Sequence, residues 1–186
     1  MKERKIAILF PGIGYHVDKP LLYYAGKLAR NYNYEVVPVP YTGFEAGIKG
    51  NARKMEQAFL SAMEQAEKIL LETDFSQYNR ILFISKSVGT VVASAYAKEH
   101  EIDARHILYT PVEATFGFLE QEGIIFHGTA DPWVETDIVE KACEQKKLPL
   151  YIFEDANHSM ETGNVSTDLE NMRKIMKITE KYMKEV

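Results

Sequence analysis

The stretch that decides the fold runs from residue 81 to residue 95 and reads Ile81-Leu82-Phe83-Ile84-Ser85-Lys86-Ser87-Val88-Gly89-Thr90-Val91-Val92-Ala93-Ser94-Ala95. Its continuous apolar start is typical of a strand in a parallel sheet, because such a strand is buried on both faces. The pattern small-x-Ser-x-Gly then leads into a helix. This order predicts a sharp turn that strains the backbone of Ser87 and lifts its hydroxyl above the sheet. Ser85 and Gly89 are small, as a close approach of strand and helix requires.

The sequence alone leaves two interpretations of this turn. In the first, Ser87 is an exposed nucleophile and the backbone N–H of Val88, at the start of the helix, faces an oxyanion. In the second, Ser87 or Ser85 only caps the helix.

Short apolar runs alternate with longer stretches of helical period along the whole chain. Strands are predicted at 5–10, 35–41, 80–85, 105–110, 123–127 and 149–154, and helices at 18–31, 51–73, 89–100, 135–146 and 166–184. Strands that alternate with helices form a parallel sheet covered on both faces. We therefore expect a doubly wound, three-layer α/β/α fold in a single domain over residues 1–186.

The predicted helix over 51–73 carries an apolar stripe that we interpret as core packing. Its members are Met55, Phe59, Met63, Ala66 and Leu70. The least regular segments of the chain are 42–50 and 111–122.

Composition excludes several classes of protein. Lys and Arg number 22 against 27 Asp and Glu, so the net charge is −5, and no basic run is present. Such a chain is a poor partner for nucleic acid or for an anionic membrane. The first apolar run ends at Pro11-Gly12, too short for a signal peptide, so we expect a cytoplasmic protein. Cys143 is the only cysteine, which excludes an intrachain disulfide. The sequence leaves a homo-oligomer open.

Metal-ligand spacings are absent from the sequence. It contains no His-Glu-x-x-His and no cysteine pair. We therefore predict no metal site.

Polar residues follow the later strands, at the sheet edge where ligands of open α/β sheets bind. Asp131 follows the fifth strand, and a carboxylate there can orient an imidazole. Alternatively Asp131 starts a turn with Pro132, with Glu135 and Asp137 as competing carboxylates.

His158 follows the sixth strand, and an imidazole is well suited to move protons near neutral pH. Ser87, Asp131 and His158 thus each follow a strand of their own, which favours a catalytic triad. Of the other histidines, His16 is a candidate for the pocket. His127 is expected to pack or to hydrogen-bond locally, and His100 and His106 to lie on the surface.

The loop after the first strand reads Pro11-Gly12-Ile13-Gly14-Tyr15-His16. Its glycines allow a substrate to approach the main chain, and the Ile13 N–H is our candidate for a second oxyanion donor. A nucleotide-binding loop would need a glycine at position 17, where Val17 stands.

Together these residues resemble the α/β-hydrolase superfamily, through segments 85–89, 127–131 and 157–161. The chain is most similar to small, lidless members near the dienelactone hydrolases and small carboxylesterases. The resemblance implies an all-parallel six-stranded sheet in the order 2-1-3-4-5-6, a serine nucleophile, a covalent acyl-enzyme and no cofactor. Two departures are Ser85 in place of the first elbow glycine, and Pro11-Gly12 in place of a His-Gly pair in the first loop.

Many of these relatives insert a large cap after the fourth strand of this core, whereas segment 111–122 is short. We therefore expect a shallow, open site with Phe116 and Phe118 as a short apolar wall. Gly12, Gly14, Tyr15, His16 and Trp133 are further pocket candidates. For the four aromatic residues, core packing is the alternative.

The function that the sequence predicts is a serine hydrolase acting on esters or thioesters of small acyl groups. An alternative is a catalytically idle binding module with the same fold. A third hypothesis is a peptidase or acyltransferase that uses the same nucleophile.

Overall fold

A computed structural model describes residues 3–45, 47–48, 50–120 and 122–186. The strands are β1 (Lys5–Phe10), β2 (Tyr34–Pro38), β3 (Arg80–Lys86), β4 (Arg105–Tyr109), β5 (Gly123–Gly128) and β6 (Leu150–Phe153). The helices are α1 (Pro20–Asn31), α2 (Ala52–Leu70), α3 (Val88–Glu99), α4 (Thr115–Phe118), α5 (Thr136–Lys146) and α6 (Val165–Glu185), with a short 3-10 turn at Phe75–Gln77.

The six strands form one sheet in the order β2-β1-β3-β4-β5-β6. Every neighbouring pair is parallel. The predicted fold class and strand order are confirmed. The order reverses between β1 and β3, so the loops after these two strands lie side by side at the carboxyl edge of the sheet.

Alternate residues of the central strands point to opposite faces of the sheet and fill separate cores. On one face, Ala7 and Leu9 pack with apolar residues of α1 and α6. On the other, Ile6, Ile8 and Phe10 pack with α2 and α3. Helix α3 is buried along nearly its whole length, which explains why its sequence is almost free of charge. These helices hold the sheet edge rigid beneath the loops.

Segment 111–122, predicted to be one of the least regular, contains the one-turn helix α4. In segment 42–50 the described residues have no regular secondary structure, and Ala46 and Lys49 lie outside the described residues. Among the described helices, none is both long and apolar enough to cross a membrane.

The prediction that His106 lies on the surface is wrong. His106 is fully buried because β4 lies between β3 and β5, and its ring packs edge-on against Phe83. Gly123 of β5 makes room for it, since a Cβ at Gly123 would come within 2.9 Å of the His106 Cβ. His100, in contrast, is exposed and bonds to Glu67.

Candidate active site

Ser87 lies in the turn between β3 and α3 with φ 55° and ψ −125°. Positive φ is strained for a residue with a Cβ, and here it is held by two contacts. The Ser87 N–H donates to the Tyr109 carbonyl at 3.1 Å, and the Thr90 hydroxyl donates to the Ser87 carbonyl at 2.6 Å. Gly89 permits the turn, because a Cβ there would lie 2.2 Å from the carbonyl oxygen of Phe10.

The geometry separates the two interpretations of this turn. Ser87 occupies the N-cap position of α3, but its hydroxyl makes no capping hydrogen bond. The Ser85 hydroxyl donates instead to the Ile107 carbonyl, at 3.3 Å. The Ser87 side chain is therefore directed away from the helix and toward the loops at the sheet edge.

A continuous chain of hydrogen bonds joins the three residues that the sequence singled out. Ser87 Oγ lies 2.7 Å from His158 Nε2, and His158 Nδ1 lies 2.7 Å from Asp131 Oδ2. A carboxylate only accepts hydrogen bonds, so Nδ1 carries the proton and Nε2 is left to accept from the serine hydroxyl. This arrangement can remove the proton from Ser87 as the hydroxyl attacks an electrophile.

Asp131 is held as an anion in a closed environment. Its side chain is fully buried, its Oδ1 accepts the Trp133 N–H at 2.9 Å, and its Oδ2 faces His158. Burial by itself would raise the pKa of Asp131, but the hydrogen bonds and charge of His158 outweigh it, and the pKa lies below the ordinary value. The carboxylate is thus available to orient His158 and to stabilise its protonated form.

The loops that carry Asp131 and His158 are tied to each other. The Thr129 N–H donates to the Phe153 carbonyl at 3.0 Å, and the Ala130 N–H donates to the Ala156 carbonyl at 3.0 Å. Gly128 allows this contact, because a Cβ there would lie 2.1 Å from the Ala156 carbonyl oxygen. The separation of acid and imidazole is therefore set by the pairing of β5 with β6.

Comparison with known proteins gives the fold of the chain. No protein-family model and no curated protein matches the sequence. Among solved structures, Est1E from Butyrivibrio proteoclasticus with bound ferulic acid matches with a TM-score of 0.72 at 12% identity, over 98% of this chain and 89% of that chain. The esterase Pf2001 of Pyrococcus furiosus matches with a TM-score of 0.67 at 14% identity, over 98% and 83%. The chain has the α/β-hydrolase fold.

A lidless serine hydrolase from Xanthomonas campestris has the same fold, with a TM-score of 0.62 at 16% identity over 98% of this chain and 84% of that chain. The described residues of this chain likewise contain no cap domain. In the described part of the connection from β4 to β5, α4 is the one helical element.

A cavity of about 810 Å³ opens beside Ser87 and His158. Six of the predicted pocket and oxyanion residues line it: Ile13, Gly14, Tyr15, Val88, Phe118 and Trp133. Trp133 also stacks on the His158 ring, with the ring centres 5.3 Å apart. The cavity is therefore continuous with the reacting groups.

Three other predicted residues lie elsewhere. Gly12 lies beneath the turn, where a Cβ would be 3.0 Å from the Ser87 Cβ. His16 is exposed and lies 3.6 Å from Asp18. Phe116 is not in the expected wall, because α4 turns it inward, where it packs with Leu108 and other apolar residues near α5.

The cavity has a wall that the sequence analysis did not predict, formed by the N-terminal half of α2. The stripe on α2 divides: Met63, Ala66 and Leu70 belong to the core, whereas Met55 and Phe59 line the cavity. Sequence reasoning missed this wall, to which Ile48, Ala58 and Val91 also contribute. The available signal was the stripe itself, which continues toward the carboxyl edge of the sheet beyond the residues that the core covers.

Both candidate oxyanion donors belong to residues that line the same cavity as Ser87. Val88 is the first residue of α3, so its N–H has no acceptor within the helix. Ile13 lies in a tight turn closed by backbone hydrogen bonds between Gly12 and Tyr15. His127 bonds locally, with its Nε2 3.0 Å from the Thr136 hydroxyl.

Proposed function

We propose that this chain is a serine hydrolase that cleaves esters or thioesters through a covalent acyl-enzyme. The observation that carries the proposal is the unbroken chain of 2.7 Å contacts from Ser87 through His158 to Asp131, at the mouth of an apolar cavity. The names of fold neighbours, which include an esterase and a serine hydrolase, support it.

The reaction proceeds in two halves. Ser87 Oγ bonds to the carbonyl carbon as its proton passes to His158 Nε2, and the negative charge on the substrate oxygen is met by the N–H groups of Val88 and Ile13. His158 then returns the proton to the leaving alcohol or thiol as the ester bond breaks. In the second half, a water molecule bonds to the acyl carbon as its proton passes to His158 Nε2. His158 then returns the proton to Ser87 Oγ as the acyl–serine bond breaks, and the acid is released. Asp131 stays ionised and holds the imidazole throughout.

The shape of the cavity suggests which part of the substrate it takes. Most of its lining residues are apolar, among them Met55, Phe59 and Phe118, and two carboxylates, Glu45 and Glu56, also line it. An apolar acyl group would bury its surface there, which favours a neutral acyl ester or thioester over a charged peptide.

The decisive experiment is labelling of the purified protein with a fluorophosphonate, followed by peptide mass analysis. We expect a single adduct on Ser87, none in a folded Ser87→Ala variant, and turnover of p-nitrophenyl esters by the unmodified protein only. A panel of esters, thioesters and amides then separates an esterase from a peptidase. Well-folded protein that takes no label and cleaves none of these substrates would contradict the proposal and favour a binding module.

A further inference from the structure

The residue directly before the serine is a buried lysine to which the proposed reaction assigns no task. Lys86 is the last residue of β3 and is only 1% exposed. Lysine is almost never fully buried, because removing an ammonium group from water is costly. A methionine of similar length would fill the same space at lower cost, so packing alone does not explain this side chain.

The Lys86 ammonium group is bonded to the main chain of His158. Its Nζ donates to the His158 carbonyl oxygen at 2.6 Å, and the Thr110 hydroxyl donates to the same oxygen at 3.1 Å. A carbonyl oxygen has two lone pairs, so the two donors satisfy it completely. Thr110 directly follows β4, is fully buried, and has a positive φ of 43°. Two neighbouring strands therefore hold one atom of the histidine loop.

Residues of two further loops, Tyr15 and Asp131, also interact with the ammonium group. Nζ lies 5.0 Å from the centre of the Tyr15 ring, and Tyr15 is itself held because its hydroxyl accepts the Leu21 N–H at 3.1 Å. Burial lowers the pKa of Lys86 to about 7, while the charge of Asp131 opposes this shift. The lysine thus lies between the first loop, the acid loop and the histidine loop.

We propose that Lys86 and Thr110 form a clamp on the His158 carbonyl, and that Lys86 is a positioning residue that holds the imidazole between Ser87 and Asp131. The inference rests on the proposed function, since it assigns the lysine to the same site. Lys86 is not the base, because His158 Nε2 is the group in contact with Ser87 Oγ. The clamp acts on the histidine itself, whereas the hydrogen bonds centred on Asn157 are local to residues 157–161 and the contacts with the Asp131 loop lie earlier, at Phe153 and Ala156.

The test compares Lys86→Met, which keeps the length and removes the donor, with Lys98→Met as the control. Lys98 is an exposed lysine of α3 paired with Glu120, away from the site. We expect Lys86→Met to lower kcat for p-nitrophenyl acetate about 10- to 100-fold, the cost of a misplaced catalytic group, with KM nearly unchanged. Its thermal midpoint should equal or exceed that of the unmodified protein, because a costly buried charge is gone. Thr110→Val should show a smaller loss of kcat.

A second readout does not depend on turnover. NMR of protein with ¹⁵N-labelled histidine reports the Nδ1–H of His158 that bonds to Asp131, and Lys86→Met should shift or broaden this signal while Lys98→Met leaves it unchanged. An unmodified protein that takes no fluorophosphonate would refute the proposed function, and the NMR comparison would then decide the clamp by itself. Full kcat together with an unchanged His158 signal in Lys86→Met would overturn the clamp. A loss of kcat that only follows a loss of folded protein would also overturn it.

Discussion

The imidazole ring of His106 is a titratable group that is buried in the core of the sheet. Neither of its ring nitrogens meets a donor or acceptor among the described residues, and the ring is fully buried. Burial lowers the pKa of His106 to about 3 from an ordinary value of 6.5. Between these two pH values the unfolded chain binds a proton that the folded chain does not. Stability is therefore lost as the pH falls from 6.5 toward 3.

Replacing His106 with leucine should remove this acid sensitivity. At pH 4.5, two pH units below 6.5, we expect His106→Leu to gain about 3 kcal/mol in free energy of unfolding relative to the unmodified protein, beyond any difference at pH 7.5. Urea unfolding at both pH values measures the gain. His16→Gln is the control, since His16 is exposed. An equal difference between His106→Leu and the unmodified protein at both pH values would contradict the argument.

At this scale the sequence identified the residues of the candidate triad, because each follows its own strand and the carboxyl ends of parallel strands share one edge. It did not identify Lys86 as buried or His106 as a core residue. The burial of a single titratable side chain depends on the loops and strands that come from elsewhere in the chain. For Lys86 these are Tyr15 and the His158 loop, and for His106 it is the absent side chain of Gly123.

The joined loops after β5 and β6 place Asp131 and His158 as one unit, and Gly128 is the residue that lets them meet. Gly128→Ala would push its Cβ against the Ala156 carbonyl, a backbone atom that cannot rotate away. We expect a loss near the upper end of the usual 1–3 kcal/mol for overpacking, about 3 kcal/mol. The rate of fluorophosphonate labelling should fall as well, because the acid and the imidazole separate.

Thermal unfolding and the labelling rate of folded protein measure these two effects of Gly128→Ala. Gly117→Ala is the matched control, because no heavy atom lies within 4 Å of a Cβ at Gly117. If Gly128→Ala matched Gly117→Ala in both measurements, the loop contact would not position the site.

The positions of the strands and long helices were easier to predict from the sequence than the contacts that their apolar faces make. All six strands and the five long helices lie close to their predicted ranges, because buried parallel strands and amphipathic helices carry strong periodic signals. The single turn of α4 is too short to show a helical period. The apolar stripe on α2 has the same spacing where it meets the core, at Met63, and where it lines the cavity, at Phe59. Periodicity identifies an apolar face without telling what covers it.

At the scale of the whole molecule, two elements distant in the chain close the cavity without a cap domain. Phe59 of α2 and Phe118 of α4 stack with ring centres 5.9 Å apart and planes 29° from parallel, and both line the cavity. This pair forms only when α2 and α4 pack on the same side of the sheet. The extent of the cavity on this side is thus set by the tertiary fold rather than by one loop, and for the proposed acyl substrate this extent would limit the length of the acyl group.

Shortening one member of this pair should extend the cavity. We expect Phe59→Ala to raise the ratio of kcat/KM for p-nitrophenyl octanoate over p-nitrophenyl acetate about tenfold, because several methylene groups gain apolar surroundings worth about 1–3 kcal/mol. Leu60→Ala is the control. Leu60 is the next residue of α2, and it is 58% exposed to solvent. An unchanged ratio in folded Phe59→Ala would place the acyl group elsewhere. The apolar wall of α2 would then contact the leaving group, and varying the alcohol in place of the acid would show the selectivity instead.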